Sequence, residues 1–86
     1  MSDDFEAAVA AVDTLTKDPG QAVKLQLYAL YKQATDGDAH GKRPGMMDFV
    51  GRTKYDAWAK LKGTSKDAAK AQYAAKVAQL QAAEGR

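Results

Sequence analysis

The feature that most limits what this chain can fold into is its short length combined with the absence of cysteine. A domain of about this size buries only about 60% of the surface that its unfolded chain exposes, so its stability is marginal. Without cysteine, neither a disulfide nor a thiolate zinc site can add to that stability. We therefore expect one domain, 1–86, that relies on helices packed through local contacts.

The composition favours helices as well. Alanine, the best helix former, is abundant, whereas isoleucine is absent and the other β-branched residues are sparse. The chain has two prolines and seven glycines, and several of them cluster between the candidate helices. The composition predicts an all-α fold.

The charge balance and the start of the chain limit the partners and the compartment. The 13 basic and 11 acidic residues give a net charge of +2, which is too balanced to indicate nucleic-acid binding by charge alone. The first residues are acidic and no apolar run approaches the about 20 residues of a membrane span, so neither a secretory signal nor a membrane anchor is indicated. We expect a cytoplasmic monomer that binds no nucleic acid.

Two helices are predicted in the first half of the chain. The first extends from Asp3, which forms a capping box with Glu6, to about Leu15, and Pro19 prevents its continuation. The second extends from about Gln21 to residue 35 or 36, before a glycine at position 37.

A loop at 37–48 separates these helices from two more. The third helix is expected at about 50–61, and the fourth extends to about residue 83 after a Thr-x-x-Asp capping signal at 64–67. The loop is long enough to suggest a function. We expect three apolar side chains to attach it to the core: Met46, Met47 and Phe49.

The second helix carries two side-chain stripes, and only one is needed for a core. The apolar stripe consists of Val23, Leu27, Leu30 and Ala34. A second stripe, rotated by roughly 100° at 3.6 residues per turn, consists of Lys24, Tyr28, Tyr31 and Lys32.

The second stripe suits a nucleotide, because a tyrosine ring can stack on a base and a lysine ammonium can bind phosphate. The simpler alternative is that these tyrosines are half-buried packing residues and Lys32 is solvated. Lys54, one turn before Trp58, is either a second phosphate ligand or a lysine at the edge of the core. Tyr73 is either a core residue or a residue at the edge of a cleft.

Catalysis is not indicated. The single histidine, His40, lies in a glycine-containing loop, and the chain has no cysteine to form a nucleophilic or metal-binding set with it. No pair of carboxylates shares an apolar face, and no GxxxxGK[ST] phosphate loop is present. We predict no catalytic residue, no metal and no cofactor.

Five ordered segments resemble the acyl-CoA-binding protein family. YALYKQATDGD at 28–38 is similar to the family signature YxxYKQATxGD, and RPGMMDF at 43–49 is similar to RPGMxDF. KYDAW at 54–58, LKG at 61–63 and SK at 65–66 resemble the family elements KWDAW, LKG and SK. The segments occur in order and without gaps over about the whole chain.

The resemblance implies a four-helix up-down-down-up bundle that carries fatty acyl-CoA, with transient contact with acyl-CoA-using enzymes or membranes. It implies that Tyr28, Lys32 and Lys54 bind the 3′-phosphate region of coenzyme A and that Tyr31 packs near the adenine. The residues that it assigns to the acyl chain and the pocket lining are Tyr73, Leu25, Val9, Ala29 and Lys24.

The chain departs from the family pattern at five positions: Asp13, Asp18, Lys24, Tyr55 and Ala74. The two acidic residues stand where basic residues are common, so they affect the expected affinity, and Lys24 can offset part of this loss. Two other classes of function are a nucleic-acid-binding module and a small helical interaction or signalling module.

Overall fold

A computed structural model describes residues 2–85 of the chain, with the side chains of residues 2 and 3 left out. It contains four helices: α1 Ser2–Val12, α2 Gln21–Asp36, α3 Phe49–Ala59 and α4 Lys66–Ala83. No strand occurs within residues 2–85, and the predicted all-α class is confirmed. None of these helices is both long and apolar enough to cross a bilayer.

Helix α1 ends earlier than predicted, and its predicted N-terminal cap cannot be compared. The capping side chain proposed at Asp3 lies outside the described residues. The helix ends at Val12, before the predicted Leu15. The amides of residues 13–15 donate to the carbonyls three residues earlier instead of four, as in a turn. The Thr14 hydroxyl also donates to the Ala11 carbonyl at 2.7 Å, and these bonds turn the chain out of the helix.

The other helix ends are set by local caps. Helix α2 ends as predicted, with Gly37 at a positive φ of 80° that a residue with a side chain rarely adopts. Helix α3 begins at Phe49, because the Asp48 carboxylate accepts a hydrogen bond from the Gly51 amide. The cap of α4 is Ser65, whose hydroxyl accepts from the Ala68 amide, and not Thr64 as the Thr-x-x-Asp signal suggested.

Helix α2 lies between two neighbours. It packs against α4 on one side and against α3 on the other, and α1 packs against α4. Helix α3 packs against no other helix of residues 2–85. The core lies between α1, α2 and α4. Its buried members are Phe5, Ala8, Leu27, Leu30, Ala34, Ala69, Tyr73 and Val77. Because no third helix covers the α2–α3 pair, a groove stays open along it.

A polar contact around the buried side chain of Gln33 ties the end of α2 to the turn after α3. Gln33 is fully buried, and its amide nitrogen donates to the Asp38 carboxylate at 2.8 Å and to the Thr64 carbonyl at 2.7 Å. The Gly63 amide donates to the same Asp38 oxygen at 2.9 Å. This contact holds the C-terminal end of α3, through the turn that follows it, against the end of α2.

The loop at 37–48 is attached to α3 by polar contacts, and the predicted attachment by Met46, Met47 and Phe49 is wrong. Those three side chains are largely exposed. Arg43 instead forms a two-point ion pair with Asp56 at 2.8 and 2.7 Å. Because directed polar bonds to α3 hold the loop, its attachment does not depend on the methionines, and their side chains stay in water.

The Asp38 contact predicts an acid-sensitive contribution to stability. Hydrogen bonds from the Gly63 amide and the Gln33 side chain hold the pKa of Asp38 below its ordinary value of 3.8. A lowered pKa in the folded chain adds stability that is complete above the unfolded pKa and is lost as the pH falls through the lower folded pKa. In urea unfolding between about pH 5 and pH 2, Asp38→Asn should therefore flatten the acid loss of stability. An unchanged profile in Asp38→Asn would contradict the assignment.

Candidate functional site

An apolar groove of about 780 Å³ lies between α2 and α3. Helix α2 contributes Ala22, Leu25 and Tyr28 to its wall, and α3 contributes Phe49, Val50 and Lys54. The α2 residues follow each other at three-residue intervals, which places them on one side of the helix. The groove can take an extended apolar chain, because its lining is mostly aliphatic and aromatic and one side is open.

A second, cationic pocket of about 420 Å³ adjoins this groove. Its basic side chains are Lys32 from α2, Lys42 from the loop and Lys54 from α3. Tyr28 and Lys54 line both the groove and this pocket. An amphiphile with an apolar tail and an anionic head can therefore lie across the two without a break.

Two of the lysines in the cationic pocket rest against aromatic rings. The Lys54 ammonium lies 5.1 Å from the centroid of the Tyr28 ring, and the Lys32 ammonium lies 4.9 Å from that of Trp58. Such contacts stabilise a cation while leaving its other donors free. The Trp58 indole is fixed in turn, because its Nε1–H donates to the Gly37 carbonyl at 2.7 Å.

An acidic residue also reaches into the cationic pocket. The Asp36 carboxylate lies 2.6 Å from the Lys32 ammonium, one helical turn away. The hydrogen bond between them raises the pKa of Lys32 and lowers the pKa of Asp36. Lys32 is thus charged, but an incoming anion has to compete with Asp36 for it.

The structure brings together one group of the predicted site residues. Tyr28, Lys32 and Lys54 surround the cationic pocket, and Lys24 and Leu25 line the groove. Ala29 is buried and contributes to a smaller pocket of about 280 Å³ behind Leu25. These placements agree with the expected contacts, which stay predictions until a ligand is bound.

The remaining predicted site residues lie elsewhere. Tyr31, Tyr73 and Val9 line neither the groove nor the cationic pocket. The Tyr31 ring stacks on Phe5 with centroids 6.0 Å apart, and Tyr73 is 4% exposed with its ring edge-on to Phe5 at 5.2 Å. Burial, with a smaller effect of the Asp13 carboxylate, raises the pKa of Tyr73. The second stripe of α2 is therefore divided, because Tyr31 turns towards α1 while Tyr28 and Lys32 turn towards α3.

Three of the departures from the family pattern have polar partners in the structure. Lys24 forms an ion pair with Asp18 at 3.1 Å, so its charge is partly balanced at the groove edge. A hydrogen bond from the Gly20 amide, followed by the bond from Lys24, lowers the pKa of Asp18. The Tyr55 hydroxyl donates to the Gly41 carbonyl at 3.2 Å and helps to hold the loop.

Several site residues were not found from the sequence. Lys42 and His40 line the cationic pocket from the loop, and the His40 ring stands edge-on to Trp58 at 5.5 Å. Phe49 and Val50 line the groove although they were expected in the core or unassigned. The sequence does contain a run of basic and apolar residues from Lys42 to Val50. Their side-chain directions could not be predicted from it, because most of this run is a loop, where helical periodicity does not apply.

The described side chains offer groups for non-covalent binding. No group of three or more histidine, aspartate or glutamate side chains among them is placed to hold a metal ion. His40 faces an aromatic ring and lysines in the cationic pocket, and serine is absent from the lining of that pocket. The arrangement suits non-covalent binding of an anionic amphiphile.

The comparisons with known proteins agree with this geometry. A family profile described as acyl CoA binding protein matches residues 2–77. The chain is 47% identical over 73 residues to an acyl-CoA-binding protein homolog of Drosophila melanogaster, covering 85% of each chain. It is 49% identical over 77 residues to enoyl-CoA delta isomerase 2 of Rattus norvegicus, covering 90% of this chain and only 20% of the isomerase. The crystal structure of Oryza sativa acyl-CoA-binding protein 2 superposes with a TM-score of 0.93 at 39% identity, covering 98% of this chain and 93% of the rice chain.

Proposed function

The chain belongs to the acyl-CoA-binding protein family, and we propose that it binds medium- to long-chain fatty acyl-CoA esters without cleaving them, as an acyl-CoA carrier and pool buffer. The observation that carries the proposal is the continuity of the apolar groove with the cationic pocket through Tyr28 and Lys54. A fatty acyl-CoA has the same division, with an apolar tail joined to an anionic nucleotide.

In this proposal the tail supplies most of the affinity and the pocket supplies the selectivity. A buried methylene contributes about 0.8 kcal/mol, so a palmitoyl tail in the groove contributes on the order of 10 kcal/mol before ordering costs. Lys32, Lys54 and the Tyr28 hydroxyl bind the 3′-phosphate region and reject ligands that lack phosphate. The thioester lies near the junction of the two pockets and is shielded there.

The proposed carrier function also implies where the protein acts and what it contacts. We expect a monomer that acts in the cytoplasm and releases its ligand through transient contact with acyl-CoA-using enzymes or membranes. The rat isomerase carries an enzyme name, but this chain covers a fifth of its length. We propose no turnover for this chain, because neither serine nor cysteine lines the groove or the cationic pocket.

Calorimetry with three ligands tests the proposal. Palmitoyl-CoA should bind tightly with one-to-one stoichiometry, coenzyme A weakly because it lacks the tail, and palmitate hardly at all because it lacks the phosphates. The recovered palmitoyl-CoA should be intact, as measured by its thioester absorbance. Equal affinity for palmitate and palmitoyl-CoA, or no binding of either, would overturn the carrier function and favour a small helical interaction module.

A further inference from the structure

The large apolar side chains that are most exposed lie together at one point of the described chain. Met46, Met47, Phe49 and Val50 are 75%, 87%, 72% and 68% exposed. Tyr31, at 41%, is the other large apolar residue exposed among the described side chains. Apolar side chains are normal on a surface when they are scattered, but a contiguous set of four indicates a contact surface. We call residues 46–50 the apolar tip.

The apolar tip is held in place by its backbone. The Asp48 amide donates to the Gly45 carbonyl at 3.0 Å and closes a turn. The Asp48 carboxylate accepts from the Gly51 amide at 2.9 Å and caps α3. The two-point ion pair between Arg43 and Asp56 anchors the chain before the turn. The side chains are therefore presented in water by an ordered turn, at no gain to the fold itself.

The chain segment that contains the apolar tip carries a net positive charge. Between residues 42 and 56 there are four basic residues and two acidic ones, so the net charge of this segment is four minus two, or +2. Asp48 caps α3 and Asp56 pairs with Arg43, so the positive charge of the segment is carried by Lys42, Arg52 and Lys54. Lys54 lines the groove together with two tip residues, Phe49 and Val50.

These observations point to one kind of partner, and we propose that the apolar tip docks reversibly on an anionic lipid bilayer. Apolar side chains that enter the interface, with lysines and arginines at the headgroups, are the combination that holds peripheral proteins on anionic membranes. The inference rests on the proposed function, because an acyl-CoA ester is an amphiphile that partitions into bilayers. Since Phe49 and Val50 belong both to the tip and to the groove wall, docking places the mouth of the groove where that ligand resides.

Vesicle sedimentation tests the docking. The wild-type chain, without ligand, should sediment with phosphatidylcholine vesicles that contain roughly one third phosphatidylglycerol, less with pure phosphatidylcholine, and less as salt rises. The double variant Met46→Gln/Met47→Gln should bind the anionic vesicles at least about tenfold more weakly. Its affinity for palmitoyl-CoA in solution should stay within about twofold, because neither methionine lines the groove or the cationic pocket. The matched control Ala82→Gln/Ala83→Gln, which changes two adjacent exposed residues on α4, should sediment like wild type.

A fluorescent label gives a second measurement that does not depend on the double variant. The chain contains no cysteine, so Met47→Cys and Ala71→Cys each accept one environment-sensitive dye. With anionic vesicles, the dye at position 47 should shift to the blue and become protected from an aqueous quencher, whereas the dye on α4 should do neither. Equal shifts at both positions would mean non-specific adsorption and would overturn the inference.

Other outcomes also decide the question. If wild type and Met46→Gln/Met47→Gln bind vesicles equally, or if neither binds them, the tip is not a membrane contact. If the wild type instead forms a dimer in sedimentation velocity that this variant abolishes, the tip contacts a second copy and the membrane assignment is wrong. Palmitoyl-CoA calorimetry without vesicles reports on the carrier function separately, so the failure of the docking inference is distinguishable from the failure of the proposed function.

Discussion

Leu27→Ala should lower the free energy of unfolding by about 2–5 kcal/mol, because removing a buried leucine side chain leaves a cavity in a packed core. Leu27 is 8% exposed and belongs to the core between α1, α2 and α4. Chemical denaturation measures the effect as a lower midpoint at an unchanged slope. The folded fraction should still bind palmitoyl-CoA, because Leu27 lines neither the groove nor the cationic pocket.

Tyr28→Phe is the matched change on the neighbouring face of the same helix. Tyr28 is half-buried and lines both pockets, and removal of its hydroxyl leaves the ring in place. The free energy of unfolding should change by less than about 0.5 kcal/mol, while the affinity for palmitoyl-CoA should fall. The reverse pattern, with Tyr28→Phe destabilising and Leu27→Ala weakening binding, would show that the core and site faces of α2 have been exchanged.

Removing the 3′-phosphate from the ligand should weaken binding to the wild type by about 1.5–3 kcal/mol, the range for hydrogen bonds to charged groups. In Lys32→Ala the same change of ligand should cost much less, because one partner of the contact is already absent. Two groups in contact give such non-additive effects, whereas distant groups give additive ones. Calorimetry with palmitoyl-CoA and its 3′-dephospho analogue, on both proteins, completes the cycle.

Two further variants test whether the non-additive effect is specific to Lys32. Lys62→Ala changes an exposed lysine outside the cationic pocket, and its effect should add to that of the dephospho ligand. Asp36→Asn removes the carboxylate that competes for Lys32, so it should raise the affinity for the phosphorylated ligand about two- to fivefold, within the energy range of exposed ion pairs. If the effects of Lys32→Ala and the dephospho ligand add, Lys32 does not bind the 3′-phosphate.

The sequence was sufficient for the fold class and for the core stripe of α2. Helical periodicity places Leu27, Leu30 and Ala34 on one side because the spacing of side chains on a helix is a local property. The same local chemistry located the end of α2 at Gly37, where a positive φ favours glycine. The ordered motifs at 28–38 and 43–49 then indicated the family, and the comparisons confirm it.

Only the tertiary structure decided which members of the second stripe of α2 lie together. Tyr31 lies three residues from Tyr28, yet it turns to Phe5 and Tyr73 and away from Lys54, because α4, with α1 on it, and α3 pack on different sides of α2. The structure also placed Met46 and Met47 in water, where hydrophobicity alone predicted burial. Whether a loop side chain is buried depends on what other segments bring to it, and here polar bonds to α3 hold the loop while no apolar surface covers its tip. Spacing along one helix is fixed by the backbone, but contacts between segments depend on the packing of the whole chain.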